Sequence, residues 1–172
     1  MSEADPRPAS PVRIRHFSRS LPMSLLRARE AVMRHFRPAL RRHGMTEQQW
    51  RVLRALMTRP HMEVSELAEA TFLLGPSVSR ILRDLEALGL ITRRQDKADQ
   101  RRSIIALSAD GEALIERVSP QSETIYAEIT RRFGAQKLAE LQNMLRELET
   151  VLSEGPPIEG APGAEEHRES SS

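Results

Sequence analysis

Between Pro76 and Leu107 the apolar residues change period once. Val78, Ile81, Leu82, Leu85 and Leu88 recur at helical steps, and Gly89 ends the run. Ile91–Gln95 and Ser103–Leu107 then read as two short strands around a polar tip. Just upstream, 64–70 predicts a short helix with Leu67 and Ala68 inward, followed by a turn. Helix, turn, helix, hairpin is the outline of a winged helix-turn-helix, in which one helix enters a DNA major groove and the wing lies beside it. Few other folds use that order.

The flanking segments are helical in pattern. A first helix is predicted over 22–42, with Pro22 in its first turn, where no N–H is needed, and Leu25, Val32, Phe36 and Leu40 as its apolar stripe. Pro38 should kink it and Gly44 should cap its end. Thr46 and Gln49 form a capping box for a second helix, whose inward face is Trp50, Leu53 and Met57. Ser108 starts a long fifth helix with Leu114, Val118, Ile125, Ile129 and Phe133 along one side and a bend at Pro120. In the sixth, Leu138, Leu141, Leu145, Leu148 and Leu152 are spaced 3, 4, 3 and 4, the seam of a coiled coil. An intramolecular partner would satisfy that seam. A dimer satisfies it too and suits a DNA reader, which profits from two-fold symmetry.

The expected architecture is therefore mainly α with a small β-hairpin wing: six helices, dimerising through the N- and C-terminal helices. Residues 20–45 and 109–152 form the dimerisation region, and 46–108 the winged helix-turn-helix. Residues 1–19, rich in Pro, Ser and Arg, read as a flexible basic arm, and 153–172, with five glutamates against Arg168, as a disordered acidic tail.

Composition removes several alternatives. At 39% hydrophobic, the chain can bury a core. Aromatics at 3% are too few for a single-strand stacking platform. With no cysteine there is no disulfide, zinc-thiolate site or thiol sensor, and the histidines show no metal-ligand spacing. The lack of an 18-residue apolar run predicts no membrane span, and the lack of an apolar signal core predicts a cytoplasmic location. No nucleophile–base or acid pair stands out, so neither catalysis nor a cofactor is expected. The segment 76–104 holds seven basic residues against four acidic ones. Only Lys97 and Lys137 of the chain's 26 basic residues are lysines, and arginine's planar fork suits phosphate and guanine.

Burying one face of the helix that begins at Pro76 leaves Ser77, Ser79, Arg80, Arg83 and Asp84 outward. Serines allow close approach, and the two arginines can reach guanine or phosphate. In the hairpin tip, Asp99 and Arg101 can pair and fix the loop, or Arg101 can enter a minor groove. Arg93, Arg94 and Arg102 belong near the DNA backbone. Each arginine taken alone also reads as a solvated surface charge; their ordered placement favours DNA.

Glu66-Leu67-Ala68, Pro76-Ser77-Val78-Ser79-Arg80-Ile81-Leu82, Gly89-Leu90-Ile91, Asp99-Gln100-Arg101 and Leu107-Ser108-Ala109-Asp110-Gly111 together resemble the MarR (multiple antibiotic resistance) family of winged helix-turn-helix repressors. The likeness covers about residues 21–152. The sequence departs from the family where Lys97 follows Asp96, a position often held by proline. Upstream, Leu25-Leu26-Arg27-Ala28-Arg29-Glu30-Ala31, Phe36-Arg37-Pro38 and Thr46-Glu47-Gln48-Gln49-Trp50-Arg51 resemble the branch that represses homoprotocatechuate degradation. That resemblance implies an obligate dimer that leaves its operator when an aromatic acid binds between the dimer region and the reading head.

For such an acid the sequence offers Arg29, on a stripe with Met33, Phe36, Leu40 and His43, together with Trp50 and Arg54 one turn later. An arginine on an apolar stripe needs an anion. A glutamate across the dimer would serve as well as a ligand, and Trp50 would serve as plain core. The expected function is a sequence-specific DNA-binding repressor, with double-stranded operator DNA, a second copy of the chain and a small aromatic acid as partners. An effector-independent architectural protein, or a regulator of efflux genes, is the alternative.

Overall fold

The computed structural model describes residues 17–95 and 102–156. Six α-helices and three strands follow a 3-10 turn at Phe17–Arg19: α1 (Leu21–Arg42), α2 (Glu47–Thr58), β1 (Met62–Glu63), α3 (Val64–Thr71), α4 (Gly75–Ala87), β2 (Ile91–Gln95), β3 (Ser103–Leu107), α5 (Ala109–Phe133) and α6 (Ala135–Glu154). The chain divides into two compact units, residues 1–125 and 126–172.

Local chemistry accounts for the element ends. Thr46 accepts the Gln49 N–H at 3.2 Å, and the Gln49 side chain accepts the Thr46 N–H at 2.9 Å, the reciprocal box the sequence predicts. Glu63 and Glu66 repeat the device on α3. There the Glu63 N–H, with Arg59 nearby, holds the Glu66 carboxyl below its ordinary range against the opposing pull of desolvation. Gly89, at φ +70°, leaves α4 through the left-handed region.

In the first unit the core is the meeting of α2, α3, α4, the sheet and the start of α5. Val52, Leu53, Leu67, Val78, Leu82, Leu85, Ile105 and Val118 are fully excluded from solvent. The wing strands fall where the sequence puts them, paired antiparallel with Ile91 opposite Leu107 and Gln95 opposite Ser103. The sheet has a third strand that the sequence reading lacks. β1 pairs with β3, Met62 opposite Ile105, so the order is β1-β3-β2. Two residues are too few to show an alternating pattern.

One glycine is fixed by packing. A Cβ on Gly111, in the first turn of α5, would lie 2.1 Å from the Leu90 carbonyl oxygen. Ser108 donates its hydroxyl to the Gly89 carbonyl at 2.6 Å and accepts the Gly111 N–H at 3.0 Å. The Ser108 hydroxyl thereby joins the backbone at the end of α4 to the backbone at the start of α5.

Several inward assignments are corrected. Met57, in the last turn of α2, is half exposed, and Leu88, the residue that caps the end of α4, is more so. Leu25 and Val32 on α1, and Phe133 at the end of α5, are also exposed. Pro38 and Pro120 both lie within continuous helices. Residues 17–19, expected in the flexible arm, form the 3-10 turn, and α6 runs two residues into the expected tail, to Glu154.

In the second unit, α6 buries none of its side chains. Leu138 and Leu148 are partly covered, whereas Leu141, Leu145 and Leu152 are 36, 40 and 56% exposed. Glu128, near the end of α5, is held down to about 2 by hydrogen bonds from Arg131 and Arg132.

Candidate nucleic-acid interface and effector site

α4 presents one buried and one open face. Val78, Leu82 and Leu85 anchor it in the core, and the 3.6-residue period turns Ser77, Ser79, Arg80 and Arg83 outward, where all four are exposed. Pro76 occupies the first turn, so α4 begins with its N–H groups and small side chains at an open end. Among the described residues neither Arg80 nor Arg83 has a carboxylate partner. The two are free to meet phosphate or a base edge.

The wing differs. Arg93 on β2 lies 3.5 Å from Glu86 of α4, and Arg102 lies 3.1 Å from Glu63 of β1. These arginines, expected at the DNA, already hold carboxylates that tie the wing to the head; only Arg94, among the described wing residues, is exposed without one. Asp99 and Arg101 lie outside the described residues, as do the arm through residue 16 and the tail from residue 157.

Where α1 meets the first helix of the head, α1 and α2 carry a cluster that the sequence reading missed. Glu47, at the first position of α2 and with a side chain only 11% exposed, takes Arg29 and Arg37 from α1 and Arg51 from its own helix. Glu30 takes Arg29 at 2.9 Å and Arg37 at 2.8 Å. The Glu47–Arg51 spacing of four residues is legible in a sequence. The approach of Arg29 and Arg37 is not, since it depends on how α1 crosses α2.

That cluster corrects the argument for Arg29. Its charge is met by carboxylates of its own chain, Glu47 and Glu30, so no ligand is required to neutralise it. The other expected ligand residues fall in different settings. Phe36 is buried, His43 is half-buried at the end of α1, Trp50 packs against the head's core, and Arg54 is exposed. Positions 47, 50, 51 and 54 share one face of α2, so Trp50 and Arg54 continue the stripe on which Glu47 and Arg51 pair. Arg54 has no carboxylate partner among the described residues.

An open cleft of about 440 Å³ lies elsewhere, between α1 and α5, lined by His35, Arg42, Pro120, Gln121, Thr124 and Ile125. None of the expected ligand residues lines it. No group of three or more potential metal ligands occurs among the described residues, and no described helix is long and apolar enough to cross a membrane.

A profile of the MarR family matches residues 43–102, the head up to the wing. Over 128 residues the chain is 42% identical to the homoprotocatechuate degradative operon repressor of Escherichia coli, covering 74% of this chain and 86% of that one. Among solved structures it resembles NadR in complex with 4-hydroxyphenylacetate, at 35% identity and a TM-score of 0.69, over 80% of this chain and 97% of that one. It also resembles the repressor CouR bound to a 23-mer DNA duplex, at 27% identity and a TM-score of 0.71, over 77% of this chain and 94% of that one.

Proposed function

The chain belongs to the MarR family, a DNA-binding transcriptional repressor and not an enzyme, and from that premise we propose that it works as a homodimer released from its operator by a small phenolic acid. The regulated genes, on this reading, degrade aromatic compounds. The relatives supply the ligand class: one represses a homoprotocatechuate operon and another was solved with 4-hydroxyphenylacetate.

The observation that carries the DNA half is the open face of α4. Ser77, Ser79, Arg80 and Arg83 are exposed together on a helix whose other face is locked in the core. Ser77 and Ser79 bring the helix close, Arg80 and Arg83 reach bases or phosphates, and Arg94 binds the backbone. Arg93 and Arg102 shape the wing through Glu86 and Glu63, and Arg93 lends phosphates its remaining N–H groups. Asp99 and Arg101 at the wing tip complete the reading, Arg101 in the minor groove.

For the acid, Arg54, without a carboxylate partner among the described residues, supplies the cation and Trp50 and Phe36 are the ring walls, with His43 at the end of the same α1 stripe. Arg29 stays with Glu47. The leucines of α6, Leu138, Leu141, Leu145, Leu148 and Leu152, none of them buried, form the two-fold seam with a second copy.

Two titrations test this reading. In the first, operator affinity falls steeply with salt, Arg94→Ala weakens binding to all sequences alike, and Arg80→Ala relaxes base choice. In the second, 4-hydroxyphenylacetate followed by calorimetry binds the wild type, and Arg54→Ala weakens it by about tenfold or more, the loss of one charge-assisted pair. DNA binding without sequence preference, together with no heat from the acid, would point instead to an architectural protein without effector.

A further inference from the structure

We propose that Arg51 is a positioning residue that carries the state of the α1–α2 charge cluster to the DNA-reading helix. The effector part of this inference rests on the function proposed above; the link itself is a property of the free protein.

The guanidinium of Arg51 spans two elements. One nitrogen, Nη2, holds Glu47 at 2.9 Å, and the other, Nη1, donates to the carbonyl of Thr71 at 2.8 Å. Thr71 is the last residue of α3 and is fully buried. Its carbonyl is one of the four that a helix C-terminus leaves without an intrahelical donor. The following residue, Phe72, sits at φ 51°, a left-handed conformation that a bulky side chain resists, and is 83% exposed. Burial of its own ring therefore does not hold this turn, whereas Arg51 grips it from α2. Three residues later α4 begins, with Ser77, Ser79 and Arg80 in its first turns.

At its other end Arg51 shares Glu47 with Arg29 and Arg37. Three arginines face two glutamates, Glu30 and Glu47, so the cluster keeps one unmatched positive charge and its pairings can be redistributed by an incoming anion. A carboxylate seated against Trp50 and Arg54 arrives on the face of α2 that carries Glu47 and Arg51. If it draws Arg37 away, Glu47 turns further to Arg51; if it repels Glu47, Arg51 is left with the Thr71 carbonyl alone. Either change alters the grip on the turn. A planar fork is needed for the double contact, and a lysine ammonium, as a single point, cannot span both partners.

The test is a double-mutant cycle on operator affinity with the full chain: wild type, Glu47→Gln, Arg51→Lys and the pair, each with and without 4-hydroxyphenylacetate, with melting curves showing that all four fold. Removing the Glu47 charge should change operator affinity at least about fivefold in the wild type. In the Arg51→Lys background the same change should have less than about a twofold effect, because its route to α4 is gone. An equal factor in both backgrounds, unity included, overturns the proposal. In the effector arm, the acid should weaken operator binding of the wild type at least about fivefold and of Arg51→Lys less than about twofold, although calorimetry finds the acid bound to both. Equal weakening in both overturns it as well. Should the acid leave the wild type unmoved, the effector reading fails and the cycle alone decides the link. A wild type that responds together with an additive cycle keeps the effector and removes Arg51.

Discussion

The reading head and helix α6 are both rich in leucine, yet they treat it in opposite ways. In the head, Leu53, Leu67, Leu82 and Leu85 are wholly buried by their own chain. On α6, five leucines at coiled-coil spacing leave the helix with no buried residue. The head is a finished core, while α6 is an apolar stripe that a second copy completes on the proposed reading. Periodicity reports that a face is apolar. What covers that face is a separate question.

The same truncation made in both places separates the two cases. Leu82→Ala should cost about 2–5 kcal/mol of unfolding free energy, read by urea denaturation, since a void opens in a closed core. Leu145→Ala should change the stability of the isolated chain by less than about 0.5 kcal/mol. Its effect should appear as weaker self-association in sedimentation and a melting temperature that depends on protein concentration. If Leu145→Ala destabilised as much as Leu82→Ala at every concentration, the contrast would be wrong.

Smaller effects sharpen the picture of the head. Gly111→Ala should cost about 1–3 kcal/mol, because the new Cβ meets the Leu90 carbonyl and must part α4 from α5; thermal melting reads it. Thr46→Ala removes one half of a capping box and should cost about 1 kcal/mol.

The smallest effect belongs to the second unit and depends on pH. Glu128, ordinarily near 4.5, is held down to about 2 by Arg131 and Arg132. A lowered carboxyl gives its stabilisation above its unfolded value and loses it as pH falls through the folded one. The stability difference between wild type and Glu128→Gln should be constant above pH 4.5 and vanish toward about pH 2. A difference that persists at pH 2 would show that Glu128 acts through packing instead.

Much of the head was legible because its signals are local. The Thr46–Gln49 box, the Gly89 stop and the limits of both wing strands depend on residues within a few positions of one another. Leu88 and Met57 keep the helical period of the buried stripe but lie at helix ends, where the structure leaves them exposed. β1 was invisible because its pairing partner, Ile105, lies more than forty residues away. Arg29 shows the same limit at the candidate site. It shares α1 with the buried Phe36 and Leu40, but it meets Glu47, brought in by the crossing of two helices, and no spacing rule reports that contact. For Arg51 the four-residue spacing to Glu47 is local, but the bond to Thr71, 20 residues on, exists only in the fold.

One footprint tests the central claim most directly: the full chain on the DNA upstream of its own gene, with and without 4-hydroxyphenylacetate. Two protected half-sites about one helical turn apart, lost when the acid is added, are predicted for a dimer that presents α4 twice and lets go on binding a phenolic acid. Uniform protection without a palindrome, unchanged by the acid, would contradict it.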